Sequence, residues 1–391
     1  MDIFSKCNTD YVDEAIAAGL YPYFHILQSR QDVEVIMEGK RRIMLGSNNY
    51  LGLTVHPRVV EAARNALEKY GSGCSGSRFL NGTLDLHVQL EKELADFIGK
   101  EDAVIFSTGF QSNLGIISAL AGRGDYVVCD RENHASIYDA CKLSYAKMLR
   151  YRHNDMADLE KTLQGIPDKA GILIATDGVF SMSGDICNLP AIVKLGKKYD
   201  ARIMVDDAHG LGVLGQGGRG TASHFGLTDE VDVIMGTFSK SLASLGGYMA
   251  TSRRVAHFVR HASRPFIFSA SITPASAASA LEALRILKET PEMPLRLAQL
   301  SSYMREGLKE RGINIRESAT PIIPIYTYEQ EPTMFINKRL YEEGLYVNMV
   351  LPPATAPGEC LLRTSYMASH TEELLDEAAD IIKKVLTEHG L

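Results

Sequence analysis

From about residue 100 to residue 252, short β-rich apolar runs alternate with segments of helical period. This alternation constrains the fold more than any other feature of the chain. The runs are AVIFSTG (103–109), YVVCD (126–130), MLRYRH (148–153), GILIATDGVF (171–180), ARIMVDDAH (201–209), VIMGTF (233–238) and GYMATS (247–252). Between most of them, SNLGIISALAG, HASIYDACKLS, MADLEKTLQGI and LPAIVKLGKKYD carry apolar residues at helical spacing, several opened by Ser, Asp or Asn. Strand–helix alternation predicts an α/β fold with a mostly parallel central sheet. Two helices, HPRVVEAARNALEKYG and TLDLHVQLEKELADFIG, precede this layer, and TPASAASALEALRILKET follows it, running into Pro291 and Pro294. The tail has helices and a few strands, including TPIIPIYTY and ECLLRTSYM, and reads as a smaller α+β domain. The expected division is an N-terminal segment (1–50), a catalytic α/β domain (51–285) and a C-terminal α+β domain (286–391).

Composition narrows the partners. The 391 residues include 41 basic and 48 acidic side chains, a net charge of −7, which disfavours a nucleic-acid or polybasic membrane footprint. A chain of this length buries a large core without a disulfide or metal staple. Cys7, Cys74, Cys129, Cys141, Cys187 and Cys360 form no C-x-x-C pair, so no metal site is expected. They read as reduced thiols of a cytoplasmic protein. The acidic N-terminus lacks the apolar core of a signal peptide, and no run of about 18 apolar residues exists. Membrane contact is therefore expected to be peripheral at most.

Two glycine patterns invite a nucleotide reading. Gly71-Ser-Gly-Cys-Ser-Gly76 follows a helix rather than a strand, and so fails the dinucleotide context. Gly210-Leu-Gly-Val-Leu-Gly215 does follow a strand, but QGGRGTASHFG after it is too glycine-rich for the required helix. Tight turns and close backbone packing are the expected use of both.

Ligands of open α/β sheets collect at the carboxyl ends of strands. The polar residues there are Thr108-Gly109, Asp177, Asp206-Asp-Ala-His209 and Thr237-Phe-Ser-Lys240. A lysine flanked by hydroxyls and glycines suits a Schiff-base amine beside a phosphate, since desolvation favours its neutral, reactive form. A carboxylate such as Asp206 suits the ring nitrogen of pyridoxal phosphate, and His209 could reach the ring hydroxyl. Taken singly, Lys240 reads as a surface lysine, Asp206 as a helix cap and His209 as a satisfied buried histidine. Their joint appearance favours the cofactor.

Asn133-His-Ala-Ser136, Asp177-Gly-Val-Phe-Ser-Met-Ser-Gly-Asp185, Val205-Asp-Asp-Ala-His-Gly210 and Thr237-Phe-Ser-Lys240 together resemble the α-oxoamine synthases. These are fold-type I, aspartate aminotransferase-like pyridoxal phosphate enzymes that condense an amino acid with an acyl-CoA, usually with loss of CO2. Ser47-Asn-Asn-Tyr-Leu-Gly-Leu53 and Leu362-Arg-Thr-Ser365 extend the resemblance over nearly the whole chain. The resemblance implies that Lys240 links the cofactor and then acts as general base, with Asp206 on the ring nitrogen and His209 nearby. It implies His134 stacked on the ring, and the N–H groups of Gly109 and Phe110 with Thr237 and Ser239 at the phosphate. Ser181 is carried over toward the cofactor, and Arg363 and Asn49 toward the substrate, with Asn48 as an alternative to Asn49. Ser269 and Ser271 resemble a segment that completes the phosphate site of the other subunit, which implies a homodimer with the active site at the subunit interface.

Gly71–Thr83, Gly236–Ser241 and Tyr346–Thr355 most resemble family members that use L-serine and a long-chain acyl-CoA such as palmitoyl-CoA. Synthases of oxononanoate or ketobutyrate, using alanine or glycine, remain the alternative. Leu351-Pro-Pro-Ala-Thr355 reads either as a lid over the acyl-CoA or as a rigid connection.

Overall fold

The structure, a computed structural model, describes residues 2–391. The first two strands, β1 (Glu34–Met37) and β2 (Lys40–Met44), form an antiparallel hairpin. Seven strands then build the central sheet: β3 (Asp102–Phe106), β4 (Tyr126–Asp130), β5 (Lys147–Tyr151), β6 (Ile172–Asp177), β7 (Arg202–Asp206), β8 (Val233–Thr237) and β9 (Gly247–Thr251). Their order is β3-β9-β8-β7-β6-β4-β5. All neighbours are parallel except β9, which runs antiparallel between β8 and β3. Each strand coincides with one of the apolar runs in the sequence.

Those runs are continuous because both faces of the sheet are covered. Along β3, Ala103 and Ile105 enter one buried layer while Val104 and Phe106 enter the other. The same alternation sends Ile203 and Val205 of β7 to one side and Met204 to the opposite side. Helices Gly109–Leu120, Ala135–Ser144, Met156–Gln164 and Leu189–Lys198 follow β3 to β6 in turn, as their spacing predicts. Thr108 fixes the start of the first, because its Oγ1 accepts from the N–H of Gln111 at 3.1 Å.

Beyond the long helix Pro274–Glu289, a smaller sheet forms from β10 (Ile322–Tyr328), β12 (Asn348–Val350) and β13 (Cys360–Ser365), in the order β10-β13-β12. The short β11 (Leu345–Tyr346) pairs in parallel with β2. Ile43 and Leu45 consequently share an apolar cluster with Leu340, Leu362 and Ile382. The N-terminal hairpin is thus stitched to the C-terminal part of the chain, a pairing that local sequence periodicity does not reveal.

Two glycines of the 210–220 stretch, Gly210 and Gly220, pack around a carboxylate of the chain itself. A Cβ on Gly210 or Gly220 would lie 1.8 Å from an Asp207 carboxylate oxygen, so neither position tolerates a side chain. After Gly215 come only a three-residue 3-10 turn, Gln216–Gly218, and a four-residue helix, Thr221–His224. The dinucleotide context is absent, as the glycine content of this stretch predicts.

Candidate active site

Strands β4, β6, β7 and β8 run in parallel, so their carboxyl ends share one edge, and a cavity of about 290 Å³ opens there. Its lining includes Gly109, His134, Asp206, His209, Ser239 and Lys240. Residues far apart in the chain meet here because each closes a neighbouring strand or opens the helix after it.

Lys240 lies in the turn after β8, and no hydrogen bond or ion pair engages its ammonium group among the described residues. Burial lowers its pKa to about 8, with Asp206 and Asp177 opposing the shift and Arg363 adding to it. Asp206 is 5% exposed. Its Oδ2 accepts from Asn113 Nδ2 at 2.7 Å and its Oδ1 from the N–H of Ala208 at 3.0 Å. Asp177 stands beside it in register. Burial, then the charge of Asp206, holds the Asp177 carboxyl well above the usual carboxylate range.

Asn113 carries the arrangement further. The same Nδ2 donates to Ser136 Oγ at 2.8 Å, and Ser136 Oγ lies 2.7 Å from His134 Nδ1. Ser136 N–H also points at that nitrogen, 3.3 Å away. Nδ1 of His134 is therefore the acceptor, which puts the proton of the neutral ring on Nε2. Burial lowers the His134 pKa, reinforced by Lys240 and opposed by Asp206. His209 is also held neutral by burial and by the positive charges around it. Its Nδ1 lies 2.7 Å from the hydroxyl of the fully buried Tyr50.

At one end of the cavity, Gly109 and Phe110 begin their helix with backbone N–H groups that have no intrahelical acceptor, a ready anion site. A Cβ on Gly109 would come within 2.9 Å of Thr237 Oγ1, so glycine is what permits this close approach. Thr237 donates its hydroxyl to the Gly246 carbonyl and accepts from the N–H of Ser239. Thr237 thus braces the turn, while the exposed Ser239 turns toward the cavity. The Phe110 ring meets His134 edge to face, with centroids 6.3 Å apart. A carboxylate deep in the cavity, a desolvated amine on its wall and free N–H donors at one end fit a phosphate-bearing pyridine ring.

Arg363, on β13, is 4% exposed and makes no ion pair with a carboxylate among the described residues. It donates from Nε to the Ser181 carbonyl and from Nη2 to Asn48 Oδ1 at 2.9 Å, with Tyr50 Oη at 3.5 Å. Leaving a guanidinium buried without an anion costs several kcal/mol, so the arrangement is built to receive one.

Two sequence expectations change here. Asn48, not Asn49, meets Arg363. Asn49 turns away to donate to Thr54 Oγ1 at 2.8 Å, because neighbouring residues in this extended turn point to opposite sides. Ser181 contributes its backbone carbonyl to Arg363 rather than a side chain to the cavity. Ser271 lies outside the cavity of its own chain, donating from Oγ to the Gly82 carbonyl at 2.7 Å, which is compatible with its expected place at the phosphate site of a second copy. Tyr50, Asn113 and Ser136 were given no role from sequence. Asn113 sits one helical turn after Gly109 and was recognisable as a polar residue on a buried helix face.

Comparison with known proteins agrees with this geometry. The aminotransferase class I and II family model matches residues 40–382. A serine palmitoyltransferase of Sphingobacterium spiritivorum is 52% identical, covering 96% of this chain and 94% of its own length. An 8-amino-7-oxononanoate synthase of Geobacter sulfurreducens is 44% identical, covering 95% and 96%. Among solved structures, a high-resolution structure of serine palmitoyltransferase with its PLP internal aldimine superposes with a TM-score of 0.97. It is 38% identical and is covered completely, as is this chain.

Proposed function

We propose that this chain, which belongs to the aminotransferase class I and II family, condenses L-serine with a long-chain acyl-CoA such as palmitoyl-CoA. The products are 3-ketodihydrosphinganine, CoA and CO2, the serine palmitoyltransferase reaction. The protein is a pyridoxal-phosphate-dependent transferase. The observation that carries the reading is Arg363, a buried guanidinium with no carboxylate partner, beside the cavity that holds Lys240.

When bound, pyridoxal phosphate supplies the electron sink that stabilises negative charge at the amino-acid Cα. The residues around it divide the remaining work. Arg363 takes the serine carboxylate, with Asn48 fixing the plane of the guanidinium. Lys240 removes the Cα proton as a neutral amine, and its lowered pKa keeps a large neutral fraction near pH 8. Asp206 holds the proton at the ring nitrogen, and Asn113 holds Asp206. His134, on the cavity wall, would lie against the ring, with its Nε2–H free to meet the substrate. His209 offers a neutral N–H to the ring hydroxyl. Gly109, Phe110 and Ser239 receive the phosphate. A Cα–C bond then forms to the acyl carbon as the CoA thiolate leaves, the serine carboxylate departs as CO2, and the Lys240 ammonium returns its proton to Cα.

The proposal extends to a homodimer in which Ser271 completes the phosphate site of a second copy. Phe79, Leu80 and Phe268, which lie close to Ser271 in the sequence or in the chain segment it bonds to, are 47%, 78% and 73% exposed, which supports a covered surface there. It places the cofactor unit within residues 51–285 and the protein in the cytoplasm. All six cysteines are free, which is consistent with that location, and no helix of the described residues is long and apolar enough to cross a membrane.

Absorbance titration of the holoenzyme with L-serine, glycine and L-alanine tests the substrate. A saturable response to L-serine, with product formed from palmitoyl-CoA, is expected. A tight response to glycine or L-alanine with none to L-serine overturns the assignment in favour of a ketobutyrate or oxononanoate synthase.

A further inference from the structure

A cluster of charge stands behind the cavity wall, centred on His153, just past the end of β5. Its Nδ1 lies 3.0 Å from Asp130 Oδ1 and its Nε2 lies 3.1 Å from Asp185 Oδ2. Glu132 approaches Nε2 at 3.7 Å, and Arg316, in the segment leading to β10, donates to Asp185 Oδ2 at 2.7 Å. The ring packs edge-on against Phe180, with centroids 4.4 Å apart. The oxygens of Asp130 also accept the N–H groups of Glu132 and Asn154, each at 2.8 Å. Both ring nitrogens therefore face acceptors. A neutral imidazole has one N–H and satisfies only one of them, so the geometry calls for the imidazolium.

Each carboxylate belongs to a segment that carries part of the site. Asp130 opens the turn that leads to His134. Within that turn, Asn133 donates to the Ala175 carbonyl and accepts from the N–H of Asp177, which keys the turn to the end of β6. Asp185 closes the turn that starts at Phe180, whose N–H donates to the Asp185 carbonyl at 2.9 Å. Within that turn lies the Ser181 carbonyl that receives Arg363 Nε.

We propose that His153 is a positioning residue whose imidazolium ties the His134 turn to the Ser181 turn, and so sets the spacing between the ring-facing histidine and the arginine that takes the amino-acid carboxylate. The inference rests on the proposed function for the choice of ligand. Burial opposes the charge on His153, but Asp130 and Asp185 outweigh it and raise its pKa to about 9. The groups facing it are Asp130 and Glu132 from the β4 turn and Asp185 from the loop after β6, with Arg316 behind Asp185. Because the pKa is raised to about 9, the imidazolium and its clamp are in place at pH 7 and are lost as pH rises through about 9.

The test compares wild-type and His153→Gln holoenzymes by absorbance titration with L-serine from about pH 7 to 10. The amide of Gln can donate to a carboxylate but carries no charge. The variant is expected to keep its cofactor and to bind L-serine about tenfold more weakly at pH 7. The ratio of variant to wild-type Kd should fall toward one as pH passes about 9. Titration of Lys240 and of the serine amine affects both proteins and cancels in that ratio. A ratio of one at pH 7, or a raised ratio that stays constant to pH 10, overturns the proposal. His153→Arg, which keeps the charge and can donate to two carboxylates, serves as the second probe and covers a Gln variant that does not fold. Its L-serine Kd should stay within about threefold of wild type. A loss of tenfold or more in a folded, cofactor-loaded Arg variant overturns the role of the charge. A wild-type protein silent toward L-serine overturns the substrate assignment instead, and the same comparison is then made with glycine or L-alanine.

Discussion

Asp206 and Asp207 are neighbours at the end of one strand, yet they belong to two different regions of the molecule. Asp206 faces the cavity, its carboxylate held by Asn113 and the N–H of Ala208 and set toward Lys240. Asp207 faces the opposite way, where Thr221 gives it both an N–H at 2.9 Å and a hydroxyl at 2.6 Å. Gly210 and Gly220 close over it without side chains. Strand alternation alone assigns one acid to chemistry and the other to architecture. A buried carboxylate becomes a working group when its surroundings leave room for a ligand, and a pin when backbone fills that room.

The comparison sharpens most at Asp206. Asp206→Asn should lower turnover about 10³-fold with little change in melting temperature, as kinetics and calorimetry would record. A drop in stability with activity intact would reverse the assignment of the two acids. An intermediate effect comes from pH. Burial sets the Lys240 pKa at about 8, so the capture of added pyridoxal phosphate by cofactor-free enzyme should speed up about tenfold between pH 7 and 9. The sign follows from the reacting form, since the neutral amine attacks and its population grows as pH rises through 8. A flat profile in stopped-flow absorbance would mean that the amine is less desolvated than the cavity suggests. The smallest functional effect is expected at Asp207. Asp207→Asn leaves one oxygen for the N–H of Thr221 and turns its amide toward the Thr221 hydroxyl, which must then accept instead of donate; it should cost about 1 kcal/mol, seen as a melting point a few degrees lower. Its L-serine affinity should equal that of wild type. A serine-binding defect in this variant would show that the two faces of the strand end are not independent.

The sequence disclosed the sheet because each strand is buried on both faces, and the resulting apolar runs are bounded by residues that close or turn. Lys240, Asp206, His209 and His134 were legible for a related reason. They sit at strand ends, and parallel strands deliver their ends to one place. Asn48 and Asn49 could not be told apart, because the segment that carries them has no period to say which side each faces. Asn113 stood out only as a polar residue on a buried helix face, with nothing local to tie it to Asp206, and Tyr50 passed for core. The His153 cluster was invisible for a different reason. Its carboxylates lie in two turns separated by a full helix–strand–helix–strand excursion, and only the packed sheet brings them to one ring. The pairing of β2 with β11 is similarly long-range, joining opposite ends of the chain.

The antiparallel strand β9 has a consequence in time as well as in space. Among the described residues it is the only neighbour of β3 in the sheet, and it pairs Phe106 with Gly247. A Cβ on Gly247 would lie 2.8 Å from Gly109 Cα, so the phosphate end of the cavity is formed by main chain pressed against main chain. During synthesis, β3 emerges early and waits, unpaired, until the residues of β9 have been made and have folded back. Loop closure over that separation is slow compared with local helix formation. The anion-binding turn at Gly109 is therefore finished among the last parts of the central sheet, and cofactor uptake marks a chain whose sheet is already complete.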